Sequence, residues 1–356
     1  MLAERLTSQL LAGEPARDPL AVARRLLAIQ GQDPRGARLA IRARTSGLSA
    51  ANVDRALTDE RTLVIAWLNR GTLHLVASED YPWLHRVVAP TLHAGARRRL
   101  AAEDIGPDAA DRALKTIARS ISADGPLTRI ELRERIARAG VPMEGQSLLH
   151  LLFLASLEGL VIRGPMHGRE HAYVLVRDWL GEPAPVERER ALAELARRYL
   201  AGHAPAEDRD LAYWAGLPLR DARAGLTAIA SELHERPDGL LELKRTPPAA
   251  PLPPPRLLGS FDPVLHGWHS REAIVGDNQT VVTANGIFRP IALVQGRAVA
   301  TWSMPRGRVE LRPFARLPRP HTAALEADAE DVLRYLAGRP TATRAPARPT
   351  ATPKSP

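Results

Sequence analysis

The chain has 356 residues, a formal net charge of +9, 45% apolar residues and no cysteine. Disulfides, thiolate nucleophiles and cysteine-based zinc sites are therefore excluded, and no apolar run reaches the ~20 residues that a membrane-spanning helix needs. The positive charge suits a polyanionic partner, nucleic acid first, although only Lys115, Lys244 and Lys354 of the 49 basic residues are lysines, so part of the excess reflects an arginine-rich coding habit.

The N-terminus is amphipathic but charged throughout. It lacks the basic start, apolar middle and small-residue cleavage site of a secretory signal, which predicts a cytoplasmic protein. Residues 1–100 offer helices near 2–12, 19–29, 35–45 and 49–58, then "TLVIAWLNRGTLHLVA", a hairpin turning at Asn69-Arg70-Gly71. Between the second and third helices lies Gln30-Gly31-Gln32-Asp33-Pro34. In an extended segment Gln30 and Gln32 point to one side, whereas a helix would set them ~200° apart. Asp33-Pro34 favours the extended form, because proline pushes its predecessor out of the α region and Asp-Pro makes a good N-cap and first helical residue. Two parallel amides could hold one water between them. On spacing alone a plain capping turn fits as well, and both readings stay open.

Residues 101–182 are the most legible. "DAADRALKTIARSISADG" has helical apolar spacing through Ala113, Ile117 and Ile121. "PLTRIELRERIARAG" opens on Thr128 with Glu131 three residues later, a capping box, and stops at Gly140. "EGQSLLHLLFLASLEG" is a third helix ending at Gly159, and β-rich runs at 160–163 and 171–176 follow. Three short helices and a hairpin is the order of a winged helix, whose third helix and hairpin usually face nucleic acid. Residues 183–248 repeat the plan, with a Pro-Asp-Gly turn in a short last hairpin. A Pro-rich linker (245–256) leads into 256–336, where short β runs predict a small antiparallel sheet or barrel with a closing helix. Residues 337–356 hold little that could build a core and are expected to be disordered. The fold class expected is mainly α with β (α+β): three tandem winged-helix units plus a small C-terminal β-barrel.

The chemical candidates are few. The 11 histidines are scattered. His266 and His269 lie three apart near Asp262, but a loop or domain-contact role suits them better than a metal, so no metal site is expected. Gly-x-Ser-x-Gly, Walker and Gly-x-Gly-x-x-Gly motifs are absent, and no lysine sits where an amine nucleophile would be expected. Arg163, His167 and Arg169 crowd the second hairpin, and Arg97-Arg98-Arg99 follow the first unit. They suit phosphate or minor-groove contact, with a solvated basic face as the plainer alternative. Arg35 beside the glutamines and Arg70 in the first hairpin turn join the DNA-binding candidates.

Five blocks carry a resemblance: "LLAIQGQD", "WLNRGTLHLVASEDYPWL", "DLAYWAGLP", "LLGSFDPVLHGWHSRE" and "NGIFRPIALVQGRAVATW". In this order they resemble the winged-helix DNA glycosylases of the AlkZ type, over residues 1–336. The resemblance implies three tandem winged helices and a small β-barrel, shaped like a C around duplex DNA. It maps the family's Gln-Φ-Gln catalytic motif, with Φ apolar, onto Gln30 and Gln32, with Gly31 departing from Φ. It implies a monofunctional glycosylase acting on bulky N7-alkylpurines, including crosslinked ones, in repair or in self-resistance to a DNA-alkylating natural product. Asp33 and His74 are candidate supports for the water. No cofactor, lyase lysine or obligate protein partner is expected, and the enzyme would be a nucleoid-associated monomer on double-stranded DNA. The alternative is a non-catalytic winged-helix DNA-binding protein, regulatory or architectural.

Overall fold

A computed structural model describes residues 1–167, 170–182 and 186–338. Arg169 and residues 339–356, most of the expected disordered tail, lie outside the described residues. The chain begins with α1 (Leu2–Ser8), α2 (Pro19–Leu26), the short strand β1 (Ile29–Gln30), α3 (Pro34–Arg42) and α4 (Ala50–Thr58). The hairpin β2 (Leu63–Trp67) and β3 (Leu73–Ala77) turns at Asn69–Gly71 and leads into α5 (Tyr81–Ala101). Helices α2 and α3 start on the same local signal. Asp18 and Asp33 are their N-caps, accepting from the amides of Ala21 at 2.7 Å and Arg35 at 3.0 Å, and a proline follows each. The carboxylate takes an amide that the helix leaves unpaired, and proline has none to lose.

Next come α6 (Pro107–Asp124), α7 (Arg129–Arg138), α8 (Ser147–Leu157), the hairpin β4 (Val161–His167) and β5 (Glu170–Leu175), and α9 (Val176–Leu180). The capping box of α7 is present: the Thr128 amide donates to Glu131 Oε2 at 2.8 Å, and the Glu131 amide to Thr128 Oγ1 at 3.3 Å. Helices α10 (Arg188–His203), α11 (Asp208–Ala215) and α12 (Leu219–Ala228) precede the hairpin β6 (Leu233–Glu235) and β7 (Leu241–Leu243). The last part holds β8 (Arg256–Leu258), α13 (Glu272–Val275), β9 (Ile291–Val294), β10 (Arg297–Ser303), β11 (Glu310–Pro313) and α14 (Arg319–Leu336). The chain is thus mixed α and β with antiparallel sheets, and no described helix is long and apolar enough to cross a membrane.

Two features depart from the sequence expectations. The first two hairpins merge into one five-stranded sheet, ordered β1-β3-β2-β4-β5, with Ile65 of β2 facing Arg163 of β4. The expected C-terminal barrel is, among the described residues, an open sheet ordered β11-β10-β9-β8. Four short strands curl too little to close. Helix α14 covers this sheet instead, with Leu325, Val332 and Tyr335 sharing a core with Ala292 and Trp302.

The merged sheet divides the interior. Strand pairing aligns Ile29, Leu75, Ile65, Arg163 and Tyr173 in one row. Because side chains alternate along a strand, the next row, Gln30, His74 and Ala66, faces the opposite side. The first face packs with Leu26, Ile41, Leu57 and Leu154. The second face belongs to a core built around Leu84, Leu195, Tyr199, Trp214 and Trp268.

Helix α3 is pinned at both ends. Beyond its C-terminus, Arg44 is fully buried and donates to Asp262 through Nη1 at 2.9 Å and Nη2 at 2.8 Å. Its remaining donors meet the Gln9 carbonyl at 2.7 Å, the Ala40 carbonyl at 3.0 Å and Gln9 Oε1 at 3.2 Å. Near its N-terminus, a Cβ on Gly36 would lie 2.4 Å from the Ser260 carbonyl, so only glycine permits this approach. The loop 259–262 therefore holds the helix that follows the two glutamines.

Candidate active site

The two glutamines sit where an edge strand becomes a helix. Gln30 ends β1, paired with His74 of β3. The ladder continues one residue further, because the Gly31 amide donates to the Leu73 carbonyl at 2.7 Å. Asp33 then caps α3. Four consecutive residues are thus fixed by a sheet on one side and a helix start on the other. Gln30 is 6% exposed and Gln32 is exposed. Their amides touch: Gln30 Nε2 donates to Gln32 Oε1 at 2.6 Å. Gln30 Oε1 is buried and accepts from no described residue. A buried carbonyl oxygen without a donor is uncommon, because leaving it unmade costs ~1–3 kcal/mol.

Gly31 stands where the resemblance expects an apolar side chain. A Cβ there would lie 3.5 Å from the Leu75 amide and 3.6 Å from Ile65 Cγ2, ordinary contact distances. An apolar residue would pack into the core behind the turn. Without it, the bond to Leu73 holds the backbone.

His74 lies directly across from Gln30, and the Cβ atoms of such cross-strand pairs are ~5 Å apart. Its Nδ1 is 2.9 Å from the Thr72 carbonyl. A carbonyl only accepts, so Nδ1 carries the proton and Nε2 is the acceptor. Burial, helped by the charge of Arg70, pushes the imidazole pKa down to about 3, against the pull of the Thr72 carbonyl. His74 is therefore neutral at physiological pH and adds no cation beside the glutamines.

Gln32 opens onto a cleft of about 350 Å³ lined also by Trp67, Leu73, Phe153 and Arg163. The Arg163 guanidinium lies over the Trp67 ring at 5.3 Å and over Tyr173 at 5.7 Å. Arg99, at the end of α5, lies over Phe153 at 5.8 Å and lines the same cleft. Arg35 is exposed on the first turn of α3, and His167 is exposed at the end of β4. Arg97 is exposed and shares Glu158 with His93, at 3.3 Å and 2.6 Å. Arg70 is placed differently from the expectation of DNA contact. Its guanidinium donates to the Trp214 carbonyl and lies over the Tyr213 ring. The C-terminal carbonyls of α11 attract a cation, which makes Arg70 a joint between the first hairpin and α11.

His266 and His269 do not converge. His266 packs 4.0 Å from the Phe288 ring and His269 stands edge-on to Tyr213. Asp262, their neighbour, is taken by Arg44. Among the described residues no group of three His, Asp or Glu could hold a metal ion. The sequence reading named neither Trp67 nor Phe153. Both look like core positions in sequence; the β1-β3-β2 pairing sets Trp67 beside Gln32, and α8 brings Phe153 edge-on to Trp67.

A family model described as DNA glycosylase AlkZ-like matches residues 23–335. The interstrand DNA cross-link repair glycosylase of Streptomyces sahachiroi is 28% identical over 357 aligned residues, covering 90% of this chain and 92% of the relative. The solved structure of Streptomyces sahachiroi DNA glycosylase AlkZ matches with a TM-score of 0.78 at 23% identity, over 95% of this chain and 97% of that one. That likeness shows a shared fold.

Proposed function

The chain belongs to the AlkZ-like DNA glycosylase family, and from that premise we propose that it is a monofunctional glycosylase that hydrolyses the N-glycosidic bond of bulky N7-alkylpurines, and of interstrand crosslinks built on them. It would serve repair, or self-protection against a DNA-alkylating natural product. The relative named for interstrand cross-link repair favours the crosslinked substrate. The observation that carries the reading is the contact between the Gln30 and Gln32 amides, with Gln30 Oε1 left as a buried acceptor.

The chemistry asks little of the protein. An N7-alkylated purine is already cationic, so it leaves without a general acid. Its departure builds an oxocarbenium-like sugar, as in other glycoside cleavage. Gln30 Oε1, the carbonyl oxygen of the pair that is not already engaged, accepts a hydrogen of the attacking water, and its dipole faces the developing positive charge. Gln32 holds the Gln30 amide so that this oxygen points away from the pair. The neutral His74 keeps competing positive charge away, and Asp33 supports the turn by capping α3. With no titrating acid or base at the centre, release should be flat between about pH 6.5 and 8.5; a bell-shaped profile would contradict this. A lyase step needs an amine. Lys244 donates to the Ser231 carbonyl, Lys115 is exposed on α6 and neither lines the cleft.

In this reading 1–100, 101–182 and 183–248 are tandem winged helices, and 256–336 is a fourth part. Together they form a C around double-stranded DNA, with Arg35, Arg163 and His167 toward the backbone. No second copy is needed to complete the site, which suits a monomer. Charge reversal at Arg163 should weaken duplex binding across all sequences; unchanged affinity would remove the second hairpin from the interface. Gly31 favours a second reading, a non-catalytic DNA-binding protein on the same scaffold.

The test is base release from duplex DNA carrying small and bulky N7-alkylguanines, with heat and alkali revealing abasic sites. Wild-type release that vanishes in Gln30→Ala/Gln32→Ala supports the glycosylase reading. A folded protein that binds duplex strongly at one sequence and releases nothing supports the second.

A further inference from the structure

Helix α8 is mostly enclosed: Leu151, Leu152, Leu154 and Leu157 are all buried. Gln146, Leu149 and His150 are exposed or half-buried, and Phe153 is buried beneath them. Their spacing of three, four and seven puts them on one face, and all four line the cleft that Gln32 enters. Leu149 is 39% exposed there, one of the few large apolar side chains left open to solvent. Phe153 stands edge-on to Trp67, with ring centroids 5.9 Å apart.

This wall is rigid. Glu103 accepts from the Gln146 amide at 3.3 Å and from Ser147 Oγ at 3.4 Å, tying the start of α8 to the segment after α5. The first hairpin rests on its other end. Gly71, at φ +71°, would place a Cβ 3.3 Å from Phe153 Cζ. A preformed apolar face beside polar groups is the usual form of a small-molecule subsite. The polar groups here are Gln146 and His150 on either side of Leu149, the Gln32 amide, and the guanidiniums of Arg99 and Arg163, which suit a neighbouring phosphate.

We propose that the exposed face of α8, with Leu149 at its centre and Trp67 and Phe153 behind it, contacts the substituent on the alkylated purine and sets which adducts are released. The substituent class is flat and apolar, an aromatic or fused-ring group with few charges. The inference rests on the catalytic reading of Gln30 and Gln32.

The test uses the full chain and two duplexes of identical sequence, one with N7-methylguanine and one with an N7-guanine adduct bearing an aromatic ring system. Single-turnover release is measured for wild type, Leu149→Ser and His150→Ala, with melting curves to confirm folding. The ratio of bulky to small release should fall on the order of tenfold in Leu149→Ser, the scale of a lost apolar contact in a specificity pocket. An unchanged ratio overturns the proposal, whether both rates fall together or neither moves. Equilibrium binding keeps it separable from the glycosylase reading. If wild type released neither base, a preference for bulky-adduct duplex over unmodified duplex that Leu149→Ser abolishes would still support the α8 surface. No preference would overturn it.

Discussion

The polar groups flanking α3 are buried in opposite ways. Beyond its C-terminus, Arg44 directs its donors to Asp262, Gln9 and Ala40, and none is left over. Before its N-terminus, Gln30 is almost as enclosed, yet its Oε1 accepts from no described residue. Buried polar groups are nearly always satisfied. The saturated group fastens three segments together, and the unsaturated one keeps an acceptor unused. Several other buried groups, among them Asn69, Tyr81 and Tyr335, share this unpartnered state, so it is the contact between Gln30 and Gln32 that sets this one apart.

Removing one partner of the saturated pair should have the largest effect on stability. Arg44→Ala or Asp262→Ala leaves a buried charge without its counter-ion and should cost about 3–5 kcal/mol. Replacing both by apolar residues of similar volume should recover much of it. Denaturant midpoints for the three variants would show this, and a small loss in the single variants would break the contrast. At the other end, Gln30→Ala should leave the melting temperature nearly unchanged and reduce base release by about 10²–10³-fold. A large loss of stability with little loss of rate would make Gln30 a structural residue.

Buried histidines extend the comparison to pH. Burial pushes His74 and His203 down to about 3, and His171 to about 4. Their folded pKa values lie below the unfolded value near 6.5, so the unfolded chain binds more protons in that window. Stability is then independent of these groups above pH 6.5 and falls as pH drops below it. Each histidine contributes about 1.4 kcal/mol per pH unit. Unfolding midpoints at pH 7.5, 6.5 and 5.5 should show the fall, and a variant lacking one of these histidines should have a shallower slope. The smallest effect is expected at Gly31. Gly31→Ala has ordinary contacts around its Cβ and should stabilise by about 0.4–1 kcal/mol through the unfolded state. Thermal melts would measure it, and destabilisation would mean that the turn needs glycine.

Local signals were legible in the sequence. The Thr128–Glu131 box, the Asp33-Pro34 helix start and the turn at Asn69–Gly71 each depend on residues within four positions. Longer-range features were not. Helix α5 shows no continuous pattern in the sequence, since Pro90 interrupts it and proline ordinarily signals a break. The pairing of β2 with β4 and the bond between Arg44 and Asp262, 218 residues apart, leave no mark on either local stretch. The glutamine pair is intermediate. Spacing placed both side chains on one side, but only the resemblance to a family offered them a role.

The merged sheet has a mechanical consequence. A hydrogen-bonded sheet is stiff in its own plane, and Gln30 occupies one rim of it while β5 forms the opposite rim. A push on the second hairpin would reach β1 through β4, β2 and β3, with the single pair of Ile65 and Arg163 as the narrowest link. In the proposed complex, the contact of that hairpin with DNA and the aim of Gln30 would be coupled through one sheet.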